Sequence, residues 1–155
     1  MAEYIDAAYV ATIATKYGLT WSPSGDAGTQ AIARSRIVID AMDWKGRKVA
    51  GRSQAEQFPR AGLVDRDGYL VDSSTIPPEI KEANALLAIV ELANPGVMTP
   101  TVTLGELVKS VKAGSVSVEF RDGGGVTSAM PIITRVEYIL APLQGIRNPF
   151  VLNRG

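Results

Sequence analysis

The amino-acid sequence predicts a mainly α protein: a small bundle of about four helices with an inserted β-hairpin and an extended C-terminal arm. Three observations carry that expectation. Apolar residues recur at helical spacing in four separate segments. One clear stretch of period two lies between Leu107 and Phe120. The end of the chain, residues 144–155, is too short to fold alone yet holds Ile146, Phe150, Val151 and Leu152. A length of 155 residues suits one domain with its own core. The division is therefore a helical domain over residues 1–143 and an arm over 144–155.

The first helix is predicted from about Glu3 to Tyr17, where Ile5, Tyr9 and Ile13 share a face, and Gly18 stops it in the position just past the helix end. Asp26 is placed to cap a second helix with Ala31, Ile32, Ser35, Val38, Ile39 and Met42 on one side, ending near Asp43. From Gly46 to Thr75 regular periodicity disappears. Asp67-Gly68 within that stretch marks a tight turn or a small hairpin. A loop of this length needs internal fastening, and Trp44 and Phe58 are the natural clamps. Ile76-Pro77-Pro78-Glu79 starts a third helix, because proline in the first turn lacks only an N–H that has no partner there. It runs from Pro78 to about Ala93, with Ile80, Ala83, Leu86, Leu87, Val90 and Ala93 inward, and Asn94-Pro95-Gly96 ends it.

The period then changes. Leu107, Lys109 and Val111 alternate with polar neighbours, Ala113-Gly114 turns the chain, and Val116, Val118 and Phe120 alternate again. Gly123-Gly124-Gly125 reads as a flexible return. A last helix from about Ser128 aligns Ile132, Val136, Ile139, Leu140 and Leu143, and Pro142 ends or kinks it near Ala141. Two strands alone are marginal in water, and their open edges invite another chain. Either the hairpin lies on the helices or neighbouring copies continue it. The arm likewise packs back on its own domain or docks on a partner.

Composition removes several kinds of chemistry. The chain has no cysteine and no histidine. That excludes disulfides, thiolate metal sites, a cysteine nucleophile and the commonest general base. No catalytic, metal or cofactor site is expected, and no cofactor. No apolar run approaches the roughly 20 residues of a membrane span, and the acidic start, Met1 to Asp6, resembles no secretory signal. The expected setting is therefore the cytoplasm, without a membrane partner.

Sixteen basic residues balance sixteen acidic ones, which argues against tight non-specific nucleic-acid binding. The charge is mildly segregated, however. Between Arg34 and Arg60 stand seven cations against Asp40, Asp43 and Glu56. A solvated loop and one polar helix face account for them. The nucleic-acid-facing candidates are Lys45, Arg47 and Lys48 beside Trp44, and the bland alternative is a core tryptophan followed by a solvated basic loop. Asp65-x-Asp67-Gly68 lacks the spacing of a calcium loop, and the glycine triplet lacks the Gly-Lys-Ser/Thr of a phosphate loop.

The order of parts carries a resemblance. Ile39-Asp40-Ala41-Met42-Asp43-Trp44-Lys45-Gly46 is followed by Gln57-Phe58-Pro59-Arg60-Ala61-Gly62. Then come Asp67-Gly68, Ile76-Pro77-Pro78-Glu79-Ile80, the Val-rich hairpin and Leu140-Ala141-Pro142-Leu143. Over Met1 to Leu143 this resembles the head–tail adaptor (connector) proteins of tailed bacteriophages, in the group automatically named DnaT-like single-stranded-DNA-binding proteins. The resemblance implies a non-enzymatic virion subunit, in a ring usually of about twelve copies below the portal protein. Such a ring would hold the stopper, head-closure or tail proteins and pass DNA through its lumen without sequence-specific binding. Its contacts are then expected on the hairpin (Leu107, Lys109, Val111, Val116, Val118, Phe120) and on the arm (Ile146, Phe150, Val151, Leu152). The arm has no counterpart in the common pattern. The adaptor is the favoured reading, and single-stranded-DNA binding is the alternative.

Overall fold

The structure, a computed structural model, describes residues 3–98 and 124–145. The hairpin expected at about 107–121 and the arm from Ile146 onward lie outside the described residues. Within them the chain is mainly helical, with four α-helices and a two-stranded antiparallel ribbon.

Helix α1 spans Ala7–Tyr17. It begins later than the apolar spacing predicts, because Asp6 caps it: the Asp6 carboxylate accepts the Tyr9 N–H at 2.8 Å. Ile5 is still buried, but from the extended segment before the helix. Gly18 ends α1 at φ 66°, a left-handed conformation that glycine adopts without strain. Helix α2 spans Ala27–Asp40. Asp26 occupies its N-cap position but makes no side-chain cap bond, since its backbone is itself near-helical. The helix also stops before Asp43, leaving Ala41–Asp43 as a turn into Trp44.

Helix α3 spans Pro78–Ala93, as the sequence predicts. Its surroundings differ from the single inward face expected. Every residue from Ala83 to Glu91 is buried, because α3 packs against α1, α2 and α4 (Gly124–Leu140) together. A helix enclosed on nearly all sides is apolar all round. Ala93, expected inward, is exposed, since the last turn emerges beyond its neighbours. Helix α4 begins four residues earlier than expected and takes Gly124 and Gly125 into its first turn, so these two glycines are not a flexible return. Val136 and Leu140 face the core, and a one-turn 3-10 segment, Ala141–Leu143, places Pro142 where its missing N–H does no harm.

Two polar contacts thread this core. Ser35 Oγ on α2 donates to Asn84 Oδ1 on α3 at 2.6 Å. Glu91 on α3 is fully buried. It accepts Arg34 Nε at 2.9 Å and the N–H groups of Gly96 and Met98 at 3.0 Å each. That carboxylate ties α2 to the turn that leaves α3. No helix among the described residues is long and apolar enough to cross a membrane.

Candidate nucleic-acid interface

Between α2 and α3 the long irregular segment folds into the ribbon. Strand β1 (Arg47–Lys48) pairs antiparallel with β2 (Arg60–Ala61), Arg47 opposite Ala61 and Lys48 opposite Arg60. Gly46 precedes β1 at φ 70°, and a Cβ there would drive into the Ala61 carbonyl oxygen. Only glycine permits that approach.

The base of the ribbon is buried and fixed. Trp44 and Phe58 meet edge to face with ring centroids 5.0 Å apart, and Tyr4 closes on Phe58 at 6.1 Å. Trp44 Nε1 donates to the Ile39 carbonyl at 2.9 Å, anchoring the ring to the end of α2. The expected clamps, Trp44 and Phe58, therefore form, and Tyr4 joins them. Its hydroxyl donates to Asp40 Oδ1 at 2.6 Å and accepts the Phe58 N–H at 3.1 Å. Burial, reinforced by the Asp40 carboxylate, holds the Tyr4 phenol well above its ordinary pKa.

Arg60 completes the base in a way the sequence conceals. Counted among the solvated cations, it is in fact buried. Its guanidinium donates to the carbonyls of Lys45 at 2.8 Å and Gly46 at 2.9 Å, with longer bonds to those of Trp44 and Gln57. It also reaches Gln57 Oε1 at 2.8 Å. Five planar donors suit this work, because no other side chain can hold so many carbonyls in fixed geometry. Burial pulls its pKa below the ordinary value, yet not far enough to neutralise a guanidinium. Arg36 is also buried, within 4.0 Å of Asp40 and 3.8 Å of Glu56, and Arg34 pairs with Glu91. Three of the seven cations counted between Arg34 and Arg60 thus have structural work. No local signal distinguishes them, since their carbonyl and carboxylate partners are brought together only by the fold.

Lys45, Arg47, Lys48 and Arg52 remain at the surface, Lys48 half-buried and the other three exposed. Lys45 Nζ rests on the Pro142 carbonyl at 3.2 Å, and Lys45 N–H on that of Leu143 at 3.0 Å. Lys48 Nζ folds back on the Gln54 carbonyl at 2.9 Å. Gln54 closes the tip by accepting the Ala50 N–H and donating to the carbonyls of Glu56 and Pro59. The three sequence candidates, Lys45, Arg47 and Lys48, therefore share one ribbon, and Arg52 belongs with them. No anion stands between Trp44 and Ala55. Among the described residues no group of three or more carboxylates is placed to hold a metal ion.

The fold and this site define a class: a small helical bundle presenting a cationic ribbon fastened at its base. The chain belongs to the family described as "Putative DnaT-like ssDNA binding protein", which matches residues 2–155. No curated protein and no solved structure matches it. The family description agrees with the group name carried by the resemblance. It favours the alternative, single-stranded-DNA binding, over the phage neck ring, for which the comparisons offer no support.

Proposed function

We propose that the chain is a non-enzymatic protein that binds single-stranded DNA, with Lys45, Arg47, Lys48 and Arg52 facing the phosphates. The observation that carries this reading is the ribbon itself: four cations without an interspersed anion, on a base pinned by Arg60. The family description supports it. The planar forks of Arg47 and Arg52 can each offer two N–H donors to phosphate oxygens, and Lys45 and Lys48 add point charges. Four phosphate contacts on a single strand give a slope of log affinity against log salt near about −3. The test is fluorescence anisotropy with a labelled oligothymidine of about 16 nucleotides across a salt series. The expected dissociation constant is roughly micromolar at physiological salt. Arg47→Glu with Lys48→Glu should weaken binding at least about tenfold and flatten the slope by about 1.4. Absence of binding even at low salt would sink the reading.

A second reading is the ring subunit of a tailed-phage neck, between portal and stopper. Its support is the zero net charge of the whole chain, suited to a lumen that lets DNA pass, together with exposed apolar side chains away from the ribbon. Co-expression with a portal protein, followed by native mass spectrometry, tests it. Monomers alone in that experiment would count against the ring.

A further inference from the structure

The chain that follows α4 pairs with the chain that enters the ribbon. Trp44 and Gln144 form an antiparallel bridge. The Lys45 N–H donates to the Leu143 carbonyl at 3.0 Å, and the Gly145 N–H donates to the Asp43 carbonyl at 3.1 Å. Lys45 Nζ adds its bond to the Pro142 carbonyl, and Gln144 Nε2 reaches Met42 Sδ at 3.5 Å. Leu143 is fully buried. Residues 143–145 are therefore fastened along Asp43–Lys45, at the base of the cationic ribbon.

This pairing fixes where the rest of the arm starts. The chain leaves Gly145 beside the segment that holds Lys45, the first cation of the ribbon. Residues 146–155 carry Arg147 and Arg154 and no acidic residue. Two residues of chain, at most about 7 Å, separate Gly145 from Arg147, and nine, at most about 30 Å, separate it from Arg154. Two cationic segments, Trp44 to Ala55 and 146–155, are thus joined at one point, and neither contains an anion. Like charges repel, so neither segment is an electrostatic partner for the other. A polyanion satisfies both.

We infer that residues 146–155 are a second element of the nucleic-acid interface. Arg147 and Arg154 take phosphates of the strand that the ribbon holds, and Phe150 offers its ring to a base. The inference rests on the strand-binding reading and deepens it. The occupant is a single strand, because its unpaired bases are open to an aromatic face that a duplex cannot meet.

Fluorescence anisotropy with a labelled oligothymidine of about 16 nucleotides, across a salt series, separates the two claims. The four ribbon contacts set a slope of log affinity against log salt of about −3, and two more arginines steepen it to about −4. Removal of residues 146–155 leaves the pairing at 143–145 in place. The shortened chain should return to a slope of about −3 and bind at least about tenfold more weakly at physiological salt. In the full chain, Arg147→Ala with Arg154→Ala should flatten the slope by the same amount, so the outcome does not depend on how the shortened chain folds. Phe150→Ala should weaken binding about fivefold or more without moving the slope, because a stacked ring meets no phosphate. A full chain whose slope is already about −3, or a double variant indistinguishable from it, overturns the inference and leaves the ribbon reading standing. A full chain that binds no oligonucleotide even at low salt overturns both.

Discussion

Tyr4 precedes the first helix, yet its hydroxyl joins three segments by contacting Asp40 at the end of α2 and the Phe58 N–H in the ribbon. Nothing in Glu3-Tyr4-Ile5 announces this, because both partners are distant in sequence. The bond has a consequence for pH. Burial and the Asp40 carboxylate favour the neutral phenol, so the folded chain keeps this proton above the ordinary pKa of 10.0. The unfolded chain loses it first as pH rises. The stabilisation is therefore complete below about pH 10 and declines above it. Tyr4→Phe should cost about 1–2 kcal/mol at neutral pH, since Asp40 and the Phe58 N–H each lose a partner. It should also lose stability less steeply than the parent above pH 10. Urea unfolding at a series of pH values measures both, and parallel curves would show that Tyr4 is not the titrating group. Phe58→Ala belongs to the same scale, and removal of a buried ring between Tyr4 and Trp44 should cost about 3–5 kcal/mol in the same assay.

The ribbon depends at the level of the element on Arg60 more than on its two pairs of strand residues. A two-stranded ribbon is marginal alone, and this one holds because a buried guanidinium satisfies the carbonyls where the chain enters it. Arg60→Met keeps much of the volume but strands those carbonyls, so a loss on the order of 3 kcal/mol is expected. The ribbon should also open locally before the helices do. Amide hydrogen exchange reads this: the Val49 N–H, bonded to the Pro59 carbonyl, should exchange much faster while amides in α3 slow or quicken only with global stability. Equal acceleration everywhere would mean that Arg60 acts on the whole fold. At this scale the helices were the legible part. The Pro78 start, the Gly18 stop and the Trp44–Phe58 clamp all stand where the sequence places them. The start of α4 was not legible, because glycine disfavours a helix, yet the first turn takes in Gly124 and Gly125.

Across the whole molecule, zero net charge conceals a local run of cations: Lys45, Arg47, Lys48 and Arg52 follow one another with no acidic residue between Trp44 and Ala55. Affinity for oligothymidine should therefore fall steeply as salt rises although the chain carries no net charge, because the ribbon and not the whole molecule meets the phosphates. Fluorescence anisotropy across a salt series reads this, and binding indifferent to salt would show that the ribbon is not the contact.

The sequence alone determined that four helices form, the stops at Gly18 and Asn94, the aromatic clamp and the absence of histidine and cysteine side chains, because spacing, proline, glycine and composition act locally. It did not determine which arginines are available to a ligand. Arg34, Arg36 and Arg60 read like Lys45, Arg47 and Lys48, yet the first three are consumed by Glu91, by the Asp40 and Glu56 carboxylates and by the carbonyls around Trp44. The bond from Arg66 to the Tyr138 carbonyl, 72 residues on, was equally invisible. Tertiary structure decides such matters, since burial and hydrogen-bond partners are set by contacts between residues far apart in the chain.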